Sequence, residues 1–363
     1  MKNSIRCAVA LMAGMGASAA MAQSNVTVYG LLDTGLVHVT NVNAAGDSVT
    51  KVPSLTGSFP SRIGFRGVED LGNGLQAVFT LEAGLAMDTG TSQQGNRLFG
   101  RQASVGLKGA FGTVSVGRQI NMTYIATQKA DVMGPNLFAI GSIDPYLPNA
   151  RSDNSISYLG NFNNFVVGAT YSTGRDSSAA GGPAATGCAG EVAGNSKACR
   201  QVTGLFGYEV PAYGLNASYD IMYGNTGAAG GLTSSDNSDK RITVNGYFKV
   251  GEGKIGAGVV DRTTRAATGL TESDLYFLGL SYPVTPLTTL DTQVAKRDVK
   301  NSSADVTLLV ARLTYYFSKR TAVYGGIGRM KNSGLSAVAL DAGGTVGVGK
   351  TQNGVMAGLR HSF

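Results

Sequence analysis

The chain has 363 residues and 37.3 kDa, with a mild net charge of +7. Only 15% of its residues are charged, against roughly 25% in a soluble domain. Glycine occurs 52 times without a collagen period, and after the N-terminus no apolar run reaches the ~18 residues that a membrane helix needs. Disorder, collagen and a helical membrane bundle are therefore excluded, and the charge gives no case for nucleic acid.

Residues 1–22 carry the parts of an export leader. Lys2 and Arg6 make a positive start, 7–20 are mostly apolar, and Ala20-Met21-Ala22 fits a small-residue cleavage site. This divides the chain into a signal peptide, 1–22, and a mature domain, 23–363.

The mature chain then alternates with a period of two, the signature of strands. Ile63 and Phe65 share a face, with Arg62 and Arg66 on the other. Leu75, Ala77, Phe79, Leu81, Ala83 and Leu85 share a face, opposed by Gln76, Thr80 and Glu82. Ile242, Val244 and Phe248 oppose Arg241, Thr243 and Tyr247. Leu313, Tyr315 and Phe317 oppose Arg312, Thr314 and Tyr316. The chain closes on Val355, Ala357, Leu359, His361 and Phe363 along one face.

Connections alternate too. Seven are short and rich in Gly, Pro, Asn or charge, among them 69–74, 251–253 and 318–320. The regions 119–150, 173–200, 224–238 and 331–350 are long. Short turns at one end and long loops at the other are the pattern of outer-membrane barrels. Seven short turns and two chain ends give sixteen strands if the ends meet. At ~10 residues per tilted strand, about half of the mature chain is left for connections. The fold class is thus all-β, a sixteen-stranded antiparallel transmembrane β-barrel. A soluble sandwich of one-sided strands is the alternative.

In a barrel the apolar face meets lipid, where Arg at mid-depth costs roughly 2–4 kcal/mol. Arg62 and Arg66 are therefore expected to point inward. Tyr158, Phe165, Tyr171, Tyr208, Tyr213, Tyr282 and Tyr316 suit the aromatic girdles at the two interfaces. Cys188 and Cys199 sit in a Gly/Ala/Ser-rich loop. In an exported chain they read as a disulfide, with two free thiols as the alternative. The sequence holds no nucleophile elbow, zinc-helix motif or phosphate loop, so neither an enzyme nor a cofactor or metal is expected.

Several stretches carry a resemblance. They are 26–33 (VTVYGLLD), 61–74 (SRIGFRGVEDLGNG), 100–109 (GRQASVGLKG), 111–119 (FGTVSVGRQ), 151–158 (RSDNSISY) and the terminal GLRHSF. In this order and with this end, the sequence resembles the general diffusion porins of Gram-negative outer membranes, of the betaproteobacterial type. The resemblance implies passive diffusion of small ions and hydrophilic solutes through a homotrimer. It implies a third long loop, about 120–150, folded into the pore. Partners would be outer-membrane lipid, lipopolysaccharide and the barrel-assembly machinery, with Phe363 as the assembly signal. A substrate-specific channel or surface receptor on the same barrel is the alternative.

The resemblance also implies a basic ladder on the pore wall: Arg62, Arg101 and Arg151, with Arg66 and Arg118 as further candidates. Asp131 and Asp144 of the inward loop would be the acids across the pore, or else solvated loop carboxylates. Alternation raises a conflict. Arg101 has the parity of Ala103, Val105 and Leu107, and Arg118 that of Val114 and Val116, rows expected to meet lipid. Either a bulge shifts the register or Arg101 lies at the rim. The expected consequence of a basic wall is a modest preference for anions.

Overall fold

The computed structural model describes residues 25–54, 57–178 and 184–363. The proposed leader, 1–22, lies outside the described residues. The wall is built from sixteen strands. The first eight are β1 (Asn25–Val39), β2 (Arg62–Gly72), β3 (Leu75–Gly84), β4 (Gln102–Gly109), β5 (Gly112–Ile120), β6 (Arg151–Phe162), β7 (Phe165–Ser172) and β8 (Gln201–Glu209). The second eight are β9 (Tyr213–Tyr223), β10 (Ser238–Val250), β11 (Gly253–Ala266), β12 (Gly269–Thr285), β13 (Thr288–Val299), β14 (Val306–Tyr316), β15 (Thr321–Asn332) and β16 (Thr351–Ser362). A short strand, Val49–Lys51, adds to the top of β1 in the first long connection.

Each strand pairs antiparallel with its neighbours in sequence, and β1 closes the ring. Its lower half pairs with β2, from Asn25↔Val68 to Leu31↔Arg62. Its upper half pairs with β16, from Leu31↔Ser362 to Val39↔Gly354. The seam is sealed by Phe363, which exchanges two backbone hydrogen bonds with Gly30. A Cβ at residue 30 would lie 2.2 Å from the Phe363 ring, so a side chain there would displace that ring. A closed sheet leaves no unpaired edge, which hydrocarbon demands. No helix among the described residues is long and apolar enough to cross a membrane.

The alternation sorts side chains as the sequence requires. Val105, Val116, Ile156, Phe206, Leu215, Leu278, Leu309, Ile327 and Val355 are exposed on the outside. Phe165, Tyr208 and Tyr213 touch in series at the short-turn end, with ring centroids 5.2 and 6.3 Å apart, as an interfacial girdle. Tyr316 departs from the girdle. It pairs with the buried Ala322 and lines the interior, in keeping with its parity opposite Tyr315 and Phe317.

The third long connection, 121–150, folds inside. It opens with α1 (Met122–Thr127) and continues through α2 (Ile140–Ile143) and a 3₁₀ turn, Leu147–Asn149. Its apolar residues Val132, Met133, Leu137, Phe138, Ile140 and Ile143 pack on inward-facing wall residues that include Val260, Phe277, Leu308, Val310 and Met330. This cluster is the only large apolar core inside the barrel among the described residues. The wall makes room for it with glycine. A Cβ at Gly256 would fall 1.9 Å from the Ala130 carbonyl oxygen, and one at Gly279 would fall 2.3 Å from Val132.

Candidate functional site: the pore constriction

On one side of the interior, two arginines pair with one carboxylate and a third lies within electrostatic reach of it. Glu82, on the polar face of β3, accepts from Arg101 Nε at 2.6 Å and lies 3.5 Å from Arg62 Nε. The Tyr29 hydroxyl also donates to Glu82, at 3.0 Å. Arg62 further donates to the Pro60 carbonyl at 3.1 Å, and Arg151 to Asn149 Oδ1 at 3.2 Å. Arg101 and Arg151 are 8% and 3% exposed. Arg101 Nη1 and Arg151 Nε are buried with no hydrogen-bond partner among the described residues. Tyr124 of α1 is within electrostatic reach of Arg62 and Arg151, so the inward loop borders the cluster.

The conflict over Arg101 has a simple physical answer. β4 begins at Gln102, so residue 101 precedes the alternation. Its backbone N–H is held by the Glu82 carbonyl at 3.0 Å, and its side chain turns to the carboxylate of the same residue. Arg66 lies four residues from Arg62 on the same face of β2 and stacks on Tyr29, 5.3 Å from the ring centre. Arg118 is within electrostatic reach of Arg151 but makes no ion pair with Glu82. Register places it in one row with Ala103, Leu81, Phe65 and the exposed Val28, on the outward face of the wall. There its guanidinium pairs with Asp153 and donates to the Gly100 carbonyl at 2.6 Å. Gly117, at φ 121°, and the register shift beside it are confined to this end of β5.

The two loop acids also lie away from the arginine cluster. Asp144 takes a two-pronged bond from Arg241 of β10, at 2.8 and 3.1 Å. Arg241 also reaches Asp239 at 2.7 Å, and Asp239 in turn holds Arg262 of β11 at 2.9 Å. Tyr146 lies beneath the Arg241 guanidinium, 4.4 Å from ring centre to Cζ. The Tyr146 hydroxyl donates to Asp220 and accepts from Gln201 at 2.6 Å and Asn121 at 2.7 Å. Asp131 accepts from Gln293 of β13 at 2.8 Å, and burial pushes its carboxyl up to about 6. Both acids therefore fasten the loop to the wall.

A second inward segment was invisible in sequence. Residues 57–61, at the end of the first long connection, tuck into the interior over Asp33 of β1. The Asp33 carboxylate accepts from the backbone N–H groups of Ser58 and Phe59, at 3.0 and 2.9 Å, and from the Tyr324 hydroxyl at 2.6 Å. Gly57 joins the segment to the third loop by accepting from Leu137 N–H at 3.0 Å. A Cβ at residue 57 would collide with Tyr324 and Asp33, so the tuck depends on glycine. Cys188 and Cys199 are joined as a disulfide within the connection 173–200.

A closed, lipid-faced ring with a charged interior narrowed by its own loops defines an outer-membrane β-barrel of the porin class. A family profile described as Gram-negative porin matches residues 8–335. Outer membrane porin protein 32 of Delftia acidovorans is 32% identical, with all of both chains covered. An outer membrane porin protein of Bordetella pertussis is 30% identical over 98% of each chain. The solved anion-selective porin from Comamonas acidovorans superposes with a TM-score of 0.74 at 27% identity, covering 94% of this chain and 100% of that one. The chain belongs to the Gram-negative porin family and is a protein of the outer membrane.

Proposed function

We propose that the chain is a passive diffusion channel for small hydrophilic solutes and ions, with a modest preference for anions. The observation that carries this is the imbalance at the constriction. Three arginines face one carboxylate, and two of their buried N–H groups have no acceptor among the described residues. The net positive charge of the cluster favours a passing anion over a passing cation. The local anion concentration rises accordingly, and salt screens the field within ~8–10 Å. The name of the Comamonas relative, an anion-selective porin, supports the same reading.

In this reading, 1–22 is cleaved on export and the mature barrel works as a homotrimer. The terminal Phe363, exposed beside the seam, is what the assembly machinery would take, and lipopolysaccharide would surround the loop end. The test is the zero-current potential of purified channels in a planar bilayer across a tenfold salt gradient. A potential of the sign set by chloride, shrinking as total salt rises, is expected. A cation-set potential would overturn the anion preference.

A further inference from the structure

At the short-turn end the interior opens into a cavity of 320 Å³ below the arginine cluster. Its cations come from three strands and a turn: Arg62, Arg312, Arg360, Lys319 and Arg320. Its one carboxylate, Asp291, is already taken by Arg312 at 2.8 and 3.2 Å. Arg360, Lys319 and Arg320 make no ion pair among the described residues.

The cavity differs from the constriction above it in having flat apolar walls. Phe59, set in place by the Asp33 clasp, stacks on Arg360 at 4.9 Å, and Tyr316 flanks the same guanidinium at 5.8 Å. Arg360 Nη1 donates to Ser58 Oγ at 3.2 Å, which fixes the plane of the guanidinium. Leu31 and Ala322 complete the apolar surface. A small inorganic anion gains from the cations alone. An anion with a flat apolar body gains from both the cations and the rings.

We propose that this vestibule retains aromatic carboxylates on their way through the channel. The carboxylate takes the free N–H edges of Arg360 and the ammonium of Lys319, while the ring lies against Phe59 and Tyr316. The inference rests on the reading of the chain as an anion-preferring channel and names a solute class for it.

The test uses purified full-length channels in planar bilayers, carrying chloride current, with sodium benzoate or sodium acetate added. Benzoate is expected to reduce the current saturably. Its half-effect concentration should be at least about fivefold below that of acetate, the scale of one aromatic contact. Phe59→Ala should raise the benzoate half-effect several-fold and leave that of acetate in place. Lys319→Gln with Arg320→Gln, on an exposed turn whose hydrogen bonds among the described residues use the backbone of Arg320 and not these side chains, should raise both. Equal action of benzoate and acetate would overturn the inference, as would a benzoate effect indifferent to these substitutions. The zero-current potential in the same membranes reads the anion preference separately. A chloride-set potential without benzoate discrimination overturns this inference alone, and a cation-set potential overturns the reading beneath it.

Discussion

The two sides of the interior use the same residue types to opposite ends. On β2, just before β4 and on β6, three arginines face a single carboxylate, Glu82. On β10 and β11, Arg241 and Arg262 share Asp144 and Asp239, so the charges balance. The balanced side also carries the apolar cluster under which the third loop is clamped. A buried arginine is thus not by itself a solute contact. What distinguishes the two sides is whether the protein has already supplied the acceptor.

The largest effect is expected on the balanced side. Arg241→Gln leaves Asp144 and Asp239 buried with their main cation removed, a loss of about 3–5 kcal/mol for a buried pair. The loss falls on loop docking, because the wall strands remain hydrogen-bonded. Noisy, enlarged single-channel conductance with little change in the far-ultraviolet circular dichroism is expected; a quiet channel of unchanged size would show that the clamp is dispensable. On the unbalanced side, Arg101→Gln with Arg151→Gln removes two of three cations. The chloride-to-potassium permeability ratio should fall several-fold, on the scale of charge-assisted contacts worth about 1.5–3 kcal/mol. Channel formation should persist. An unchanged ratio would locate selectivity elsewhere in the pore.

A smaller effect is expected from pH. Burial holds the Asp131 carboxyl near 6, above its ordinary value of 3.8. The docked loop therefore binds the proton more tightly than the undocked one. Docking from this group is strongest below about pH 4 and weakens as pH rises through about 6. Open-channel noise should increase between pH 5 and 7, and Asp131→Asn should flatten the response. Noise that falls over this interval would reverse the assignment.

Much of this was legible in sequence because a period of two is enforced by lipid on every strand. The strands and the expectation that Arg62 faces inward follow from that constraint, whereas the inward third loop was implied only by the family resemblance. Arg101 defeated parity because it stands one residue before its strand. The acids defeated it because Asp131 and Asp144 lie in a loop, where no period applies. Their partners Arg241 and Gln293 are far away in the chain. The sequence did mark Glu82 as a carboxylate on a polar strand face, but nothing local says that it sits between Arg62 and Arg101. The Asp33 clasp on 57–61 combines a wall residue, a loop end and Tyr324, and no spacing rule joins them.

Arg118 gives the sharpest discrimination between wall and pore, by an effect expected to be near zero. Its row is outward, its charge is matched by Asp153, and Asp153 also holds Arg97 at 3.1 Å. An arginine in that row facing hydrocarbon alone would cost roughly 2–4 kcal/mol at mid-depth. The Asp153 pair, shared with Arg97, offsets that cost, and we propose that Arg118 is held in this pair rather than lining the pore. Arg118→Gln should therefore leave the zero-current potential where it is, in contrast to the Arg101 and Arg151 changes. Because it also releases Asp153, it should lower the temperature at which the barrel unfolds in detergent. A shift in the potential as large as that of Arg151→Gln, with no change in melting, would return Arg118 to the pore lining and show that the register near Gly117 turns the side chain inward.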